Sequence, residues 1–260
     1  MDLGLKGKVA LIGGSSQGLG FAVAESLLAE GAAVVICGRN QDNLAKAEQR
    51  LSSVGKSILS VSCDLASAEG IACVGHAAES KFGPIDILVA NTGGPPPGTF
   101  EALSWQDWQS AVDLLLRSSV ELTRLVLPGM KHRGWGRIIG ITSIAAKQPV
   151  DNLLLSNSIR PAVTGFFRTL ANEVAAFGVT VNTALPGYTN TERLKGLTAP
   201  GLNQQALSQK HDEWKKSIPM GRFGEPQEFA ALVTFLASAR ASYITGQAIA
   251  VDGGHIRSLL

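Results

Sequence analysis

Seven short apolar runs, separated by longer stretches of helical spacing, constrain this chain more than any other feature. The runs are Lys8 to Ile12, Ala33 to Cys37, Ile58 to Ser62, Ile85 to Ala90, Arg137 to Ile141, Val179 to Ala184 and Ala248 to Val251. Each is rich in Val, Ile or Leu and bounded by Gly, Pro, Asn or Asp, the pattern of a strand between turns. Between them, stretches such as Leu19 to Glu30 and Leu44 to Leu51 space their apolar residues for a helix. Strands that alternate with helices imply a parallel sheet covered on both faces. The expected class is therefore α/β: one doubly wound, parallel seven-stranded sheet with helices on both faces, in a single domain over residues 1–260. The least regular stretch, about 188–220, mixes polar, charged, Gly and Pro residues and reads as a lid over a site.

Charge and composition exclude several function classes. Basic and acidic residues nearly balance, 23 against 21, and no basic run stands out, so no nucleic-acid partner is expected. No segment approaches the ~20 apolar residues that span a bilayer. The N-terminus lacks the apolar stretch of a signal peptide, so a cytoplasmic protein with no membrane partner is the expectation. Cys37, Cys63 and Cys73 lack metal spacing, and the first two sit in strand-like runs that suit buried, reduced thiols. His76, His132, His211 and His255 show no ligand spacing, so no metal is expected.

The first run leads into Gly13-Gly14-Ser15-Ser16-Gln17-Gly18-Leu19-Gly20 and then a helical stretch. Gly14, Gly18 and Gly20 let backbone approach a pyrophosphate, and the helix N-terminus, beginning at Leu19, offers free N–H groups to the anion. A glycine turn between strand and helix marks a dinucleotide site of Rossmann type. Its spacing resembles the Thr-Gly-x-x-x-Gly-x-Gly pattern of short-chain dehydrogenases/reductases, with Gly13 in the threonine's place. The resemblance runs the length of the chain. Asp64-Leu65 resembles the pair that contacts adenine. Asn91 and Gly93, within Ala90-Asn91-Thr92-Gly93, match the family's Asn-Asn-Ala-Gly motif, and Pro186-Gly187 resembles the turn beside the nicotinamide. Pro219 to Pro226 and Tyr243 to Gly254 resemble two stretches near the family's C-terminus. The 3-oxoacyl-carrier-protein reductase type is the nearest in pattern. The resemblance implies a small-molecule carbonyl or alcohol substrate. It also implies a homotetramer or homodimer packed through the helices Trp105 to Met130 and Leu153 to Phe177.

The end of the second strand chooses between the two dinucleotides. An acid there bonds the ribose hydroxyls of NAD, whereas an arginine accommodates the 2′-phosphate of NADP. The chain reads Cys37-Gly38-Arg39-Asn40, with Gly38 where the acid would stand. Arg39, joined by the hydroxyls of Ser15 and Ser16, is expected to hold that phosphate, which favours NADP(H) over NAD(H).

In the family a serine polarises the carbonyl and a tyrosine protonates the nascent alkoxide. A lysine four residues later lowers the tyrosine's pKa, and an asparagine on an earlier helix supports a water relay. Only the serine is matched here. Ser143 follows the fifth run; thirteen residues on, the tyrosine position holds Ser156, and four further the lysine position holds Arg160. Leu115 falls at the asparagine position. The chain has two tyrosines, Tyr188 and Tyr243, and neither precedes a lysine at the required spacing. A serine hydroxyl is a far weaker acid than a phenol of pKa ~10, and an arginine stays protonated. Ser143, Ser156 and Arg160 are the candidate catalytic set, suited to binding an anionic or carbonyl ligand.

Two readings follow: an NADP(H)-dependent reductase with a non-standard site, and a catalytically impaired dinucleotide-binding protein. A dehydration or epimerisation on the same fold is a third. Tyr188 reads as an aromatic lid residue and Lys147 as a surface amine. Three prolines stiffen the loop Gly93 to Gly98. Arg193 and Lys195 are lid cations available to an anion, and Leu194, Leu197, Leu202, Leu207 and Trp214 are the lid's apolar members.

Overall fold

The computed structural model describes residues 1–197 and 203–259. Its strands are β1 (Val9–Ile12), β2 (Ala33–Gly38), β3 (Ile58–Ser62), β4 (Ile87–Ala90), β5 (Gly136–Ile141), β6 (Val179–Pro186) and β7 (Ala248–Val251). The helices are α1 (Gly18–Ala29), α2 (Gln41–Leu51), α3 (Ala68–Phe82), α4 (Trp105–Val112), α5 (Ser118–Arg133), α6 (Leu154–Val174), α7 (Glu192–Lys195), α8 (Gln204–Ser217) and α9 (Pro226–Ala237). Every strand pairing is parallel, in the order β3-β2-β1-β4-β5-β6-β7. All seven apolar runs are strands of this one sheet, with ends moved by a residue or two. Central strands such as β1 and β4 are buried along their whole length, so both faces demand apolar side chains and no polar alternation appears.

The core divides across the sheet. Phe21, Leu27, Val233 and Phe229 pack α1 and α9 on one face. Val74, Leu122, Met130 and Phe167 pack α3, α5 and α6 on the other. The second layer lies close: a Cβ at Gly140 of β5 would stand 2.3 Å from the Phe167 ring. Helix starts are fixed locally. Asn40 caps α2 through Asn43 N–H, Ser67 caps α3 through Gly70 N–H, and Ser104 with Asp107 forms a reciprocal capping box on α4.

The single long helix expected over Trp105 to Met130 is interrupted by a widened turn at Asp113–Arg117, where Ser118 N–H bonds Asp113 O. The cause lies in adjacent hydroxyls. Ser118 Oγ donates to Leu114 O at 2.5 Å and Ser119 Oγ to Leu115 O at 2.7 Å, competing with the regular ladder. Leu115 itself is buried in the core.

Sheet order reverses between β1 and β4, which open the crevice where α/β folds bind ligands. The glycine turn leaves β1 and Asn91 leaves β4 on its two sides. Part of the stretch expected as a lid is helical, as α7 and α8; Leu202, one of its expected apolar members, lies outside the described residues. Among the described residues, no helix is long and apolar enough to cross a membrane, and no group of His, Cys, Asp and Glu is placed to hold a metal.

Candidate active site

The glycine turn is shaped by close approach. Gly14 and Gly18 have φ of 52° and 59°, where a side chain is strained. A Cβ at Gly20 would stand 2.5 Å from Gly14 O. Asn91 Nδ2 donates to Gly13 O at 3.0 Å and Gly14 O at 3.2 Å, tying the β4 loop to the turn. A Cβ at Gly13 would fall 2.2 Å from Asn91 O, so glycine rather than threonine is dictated by the neighbouring loop. Unlike α2, α3 and α4, helix α1 has neither a side-chain cap nor an acid in its first turn. Its first N–H groups suit an anion.

One expected cofactor contact is corrected. Ser15 is fully buried; its hydroxyl donates to Ile12 O at 2.6 Å and accepts from Cys37 N–H at 2.9 Å. It stitches β1 to β2 and is not available to a phosphate. The Leu65 side chain is buried in the core beside Gly13, which leaves its main chain as the part open to a ligand. Asp64 remains exposed next to it and accepts from Ala66 N–H. Ser16 stays near the surface, where a Cβ on Gly38 would come within 3.2 Å of its Oγ. A side chain at position 38 would therefore touch Ser16 Oγ, which would have to give by a few tenths of an ångström. Arg39 is exposed beyond it.

A cleft of about 230 Å³ gathers the rest of the expected set. Gly14, Gly18, Leu19 and Gly20 of the glycine turn line it, with Asn91 and Gly93 after β4 and Pro186 and Gly187 where β6 ends. Ser143, Ser156 and Arg160 line the same space. Ser143 Oγ accepts from Ala145 N–H at 3.1 Å, which leaves its hydrogen for the cleft. Ser156 is nearly buried and accepts from Arg160 Nε at 3.0 Å. The remaining guanidinium bonds reach main chain: Nη1 to Thr142 O at 2.5 Å and Ile141 O at 3.3 Å, and Nη2 to Gly93 O at 2.9 Å. Burial, and then the charge of Arg193, lower Arg160 to about 10, so it remains a cation at neutral pH. Leu115 and Lys147 stand outside the cleft lining.

A second cavity of about 580 Å³ shares Leu153, Tyr188 and Leu197 with the first. Tyr188 is its aromatic partition. The ring stacks on Trp214 with centroids 5.2 Å apart and meets His255 edge-on at 5.3 Å. The C-terminal tail thus reaches the site, held by His255 Nδ1 against Ser217 O at 3.2 Å. His211 packs between Trp214 and Phe223. Burial, then Asp151, push the Tyr188 phenol up, which opposes its ionisation. The lid cations separate: Lys195 pairs with Glu192 at 2.6 Å, while Arg193 Nη2 donates to Pro95 O at 2.6 Å and lines the cleft.

Sequence reasoning missed Thr142, Thr189 and Thr191, which also line the cleft. Adjacency to Ser143 and to Pro186-Gly187 was the available signal. Thr142 Oγ1 is buried and has no hydrogen-bond partner among the described residues.

The family model described as enoyl-(acyl carrier protein) reductase matches residues 14–255. The chain is similar to the acetoacetyl-CoA reductase of Shinella zoogloeoides, 35% identical over 247 residues, covering 95% of this chain and 98% of that protein. It is similar to dehydrogenase/reductase SDR family member 4 of Bos taurus, 34% identical over 256 residues, covering 98% of this chain and 89% of the other. Among solved structures it resembles L-sorbose reductase from Gluconobacter frateurii complexed with NADPH and L-sorbose, with a TM-score of 0.93, 37% identity and full coverage of both chains. With its parallel seven-stranded sheet, glycine turn and switch-point cleft, the chain belongs to the short-chain dehydrogenase/reductase family.

Proposed function

We propose that this protein is an NADP(H)-dependent oxidoreductase that interconverts a carbonyl and an alcohol, using Ser156 and Arg160 where relatives of this pattern carry tyrosine and lysine. The observation that carries the reading is the 3.0 Å bond from Arg160 Nε to Ser156 Oγ. It leaves the Ser156 hydrogen free for the cleft and sets a fixed cation beside its oxygen. When bound, the dinucleotide supplies the hydride. Ser143 O–H donates to the carbonyl oxygen and polarises it. As charge builds there, Ser156 O–H passes its proton to that oxygen, Arg160 offsets the charge left on Ser156, and water restores the proton.

The cofactor preference is supported by three features. Gly38 offers no acid, Ser16 offers a hydroxyl beside it, and Arg39 stands exposed next to them. Arg39, Ser16 and the N-terminus of α1 would hold the phosphates, with Asp64 near the adenine. The segment of about 188–220 would act as the lid over the site. L-sorbose reductase is described with NADPH and the acetoacetyl-CoA reductase by a 3-oxoacyl substrate, which fits a keto substrate here.

A second reading, a dinucleotide-binding protein without turnover, draws on the Arg160 bonds to Gly93, Thr142 and Ile141 carbonyls. They give that residue a structural role sufficient to explain its presence. Calorimetric titration with NADPH and NADH, followed by turnover across a carbonyl panel, separates the two. We expect NADPH to bind about tenfold or more tighter than NADH, a gap of about 1.4 kcal/mol, and reduction to fall at least tenfold in Ser156→Ala. Binding without turnover on any carbonyl sinks the reductase reading and leaves the second.

A further inference from the structure

We infer that the cleft takes a carbonyl substrate bearing a carboxylate, which is held between Arg193 and Arg160 with Thr142 as an added donor. This names the substrate class for the reductase reading and rests on that reading for the carbonyl alone.

The first observation is unbalanced charge. Arg160 from α6 and Arg193 from α7 line one cleft, close enough for Arg193 to depress the ionisation of Arg160. Neither forms an ion pair among the described residues. Glu192, the acid in the cleft wall, is bonded to Lys195 at 2.6 Å. Asp151 lies in the adjoining cavity beside Tyr188. Two like charges facing one partly enclosed space repel, and an anion between them removes that repulsion.

The second is spare donors. Arg193 is exposed as a residue while burial of its guanidinium holds its pKa below the usual arginine value, and it spends one N–H on Pro95 O, out of five on a planar fork. Its guanidinium lies over Gly94, where a Cβ would come within 2.9 Å of Nη2. A planar fork matches a carboxylate in two parallel bonds. The third is Thr142, which lines the same cleft; its Oγ1 is buried and unpartnered among the described residues, so rotation of the side chain would bring a free donor to a ligand acceptor.

Both arginines also hold the proline loop, so the test must read charge recognition and not folding. With saturating NADPH, kcat/KM is measured for pyruvate, acetoacetate and levulinate against their methyl esters, in the wild type, Arg193→Met and Gly94→Ala. At least one acid should exceed its ester by about tenfold or more. That ratio should collapse toward one in Arg193→Met and fall partway in Gly94→Ala, which moves the guanidinium and keeps its charge. No acid preference in the wild type overturns the proposal. So does an Arg193→Met variant that keeps the ratio and binds NADPH about tenfold less tightly, because the guanidinium then serves the cofactor's phosphates.

A binding arm works without turnover. Calorimetry compares levulinate with its amide, with and without NADP⁺. Tighter binding of the acid, lost in Arg193→Met, supports the proposal even if nothing is reduced, in which case only the reductase reading fails. Equal binding of acid and amide overturns it.

Discussion

At Ser156 a nearly buried hydroxyl is gripped by one arginine that also reaches three main-chain carbonyls. Restoring a phenol and an amine, as Ser156→Tyr with Arg160→Lys, should raise carbonyl reduction, because a phenol of pKa ~10 is a far better acid. The same change removes the guanidinium's bonds to Gly93 and Thr142, so a lower melting temperature should accompany the gain. If reduction falls instead, the native pair has its own chemistry. Gly13 makes a complementary case. Gly13→Thr restores the family's residue, yet its Cβ would meet Asn91 O. We expect a loss of about 1–3 kcal/mol in chemical denaturation; an unchanged midpoint would show that the β4 loop yields. Positions such as Gly14 and Arg160 were legible because spacing from a strand end locates them. The inward turn of Ser15 was not, since the same Ser-Ser pair in a loop gives no sign of which hydroxyl a neighbouring strand will claim.

At the scale of elements, strands such as β1 and β4 were legible because burial on both faces leaves an unbroken apolar run. The widened turn before α5 was hidden, because it depends on hydroxyls of Ser118 and Ser119 choosing carbonyls one turn back. The helical character of α8 was masked by its polar surface, although Asn203 caps it through Ala206 N–H. The entry to α9 carries a testable electrostatic device. Arg222 bonds both Glu228 oxygens at 2.7 and 2.8 Å, and Glu225 N–H adds a third bond. The Arg222 bonds come first, and with the backbone bond they hold Glu228 at about 2. A depressed carboxylate stabilises the fold above the unfolded value of ~4.3 and loses that contribution as pH falls through the folded value. An NMR titration should find the Glu228 carboxyl near 2 in the wild type and back toward the ordinary range in Arg222→Gln. A midpoint unmoved by that substitution would contradict the assignment.

Across the whole molecule, the reversal of strand order sets the glycine turn and the β4 loop at one crevice, and the two core layers hold it rigid. Phe167, fully buried against β5, should cost about 3–5 kcal/mol on change to alanine, read by urea denaturation; a cost below 1 kcal/mol would mean that the layer repacks. NADPH at about a hundredfold excess over its Kd should add ~2.7 kcal/mol of stability, and Gly20→Val should abolish that shift. The proline loop joins these scales. Gly93 O is held by Arg160, Pro95 O by Arg193, and Gly98 pairs with Asn152 O and Leu154 N–H. The carbonyl of Pro95 takes one N–H of Arg193 and leaves the rest of the fork unspent. An anion therefore joins the guanidinium without displacing the loop, which acts as a bracket that holds the donor in place before the ligand arrives and lowers the entropy cost of ordering that side chain on binding.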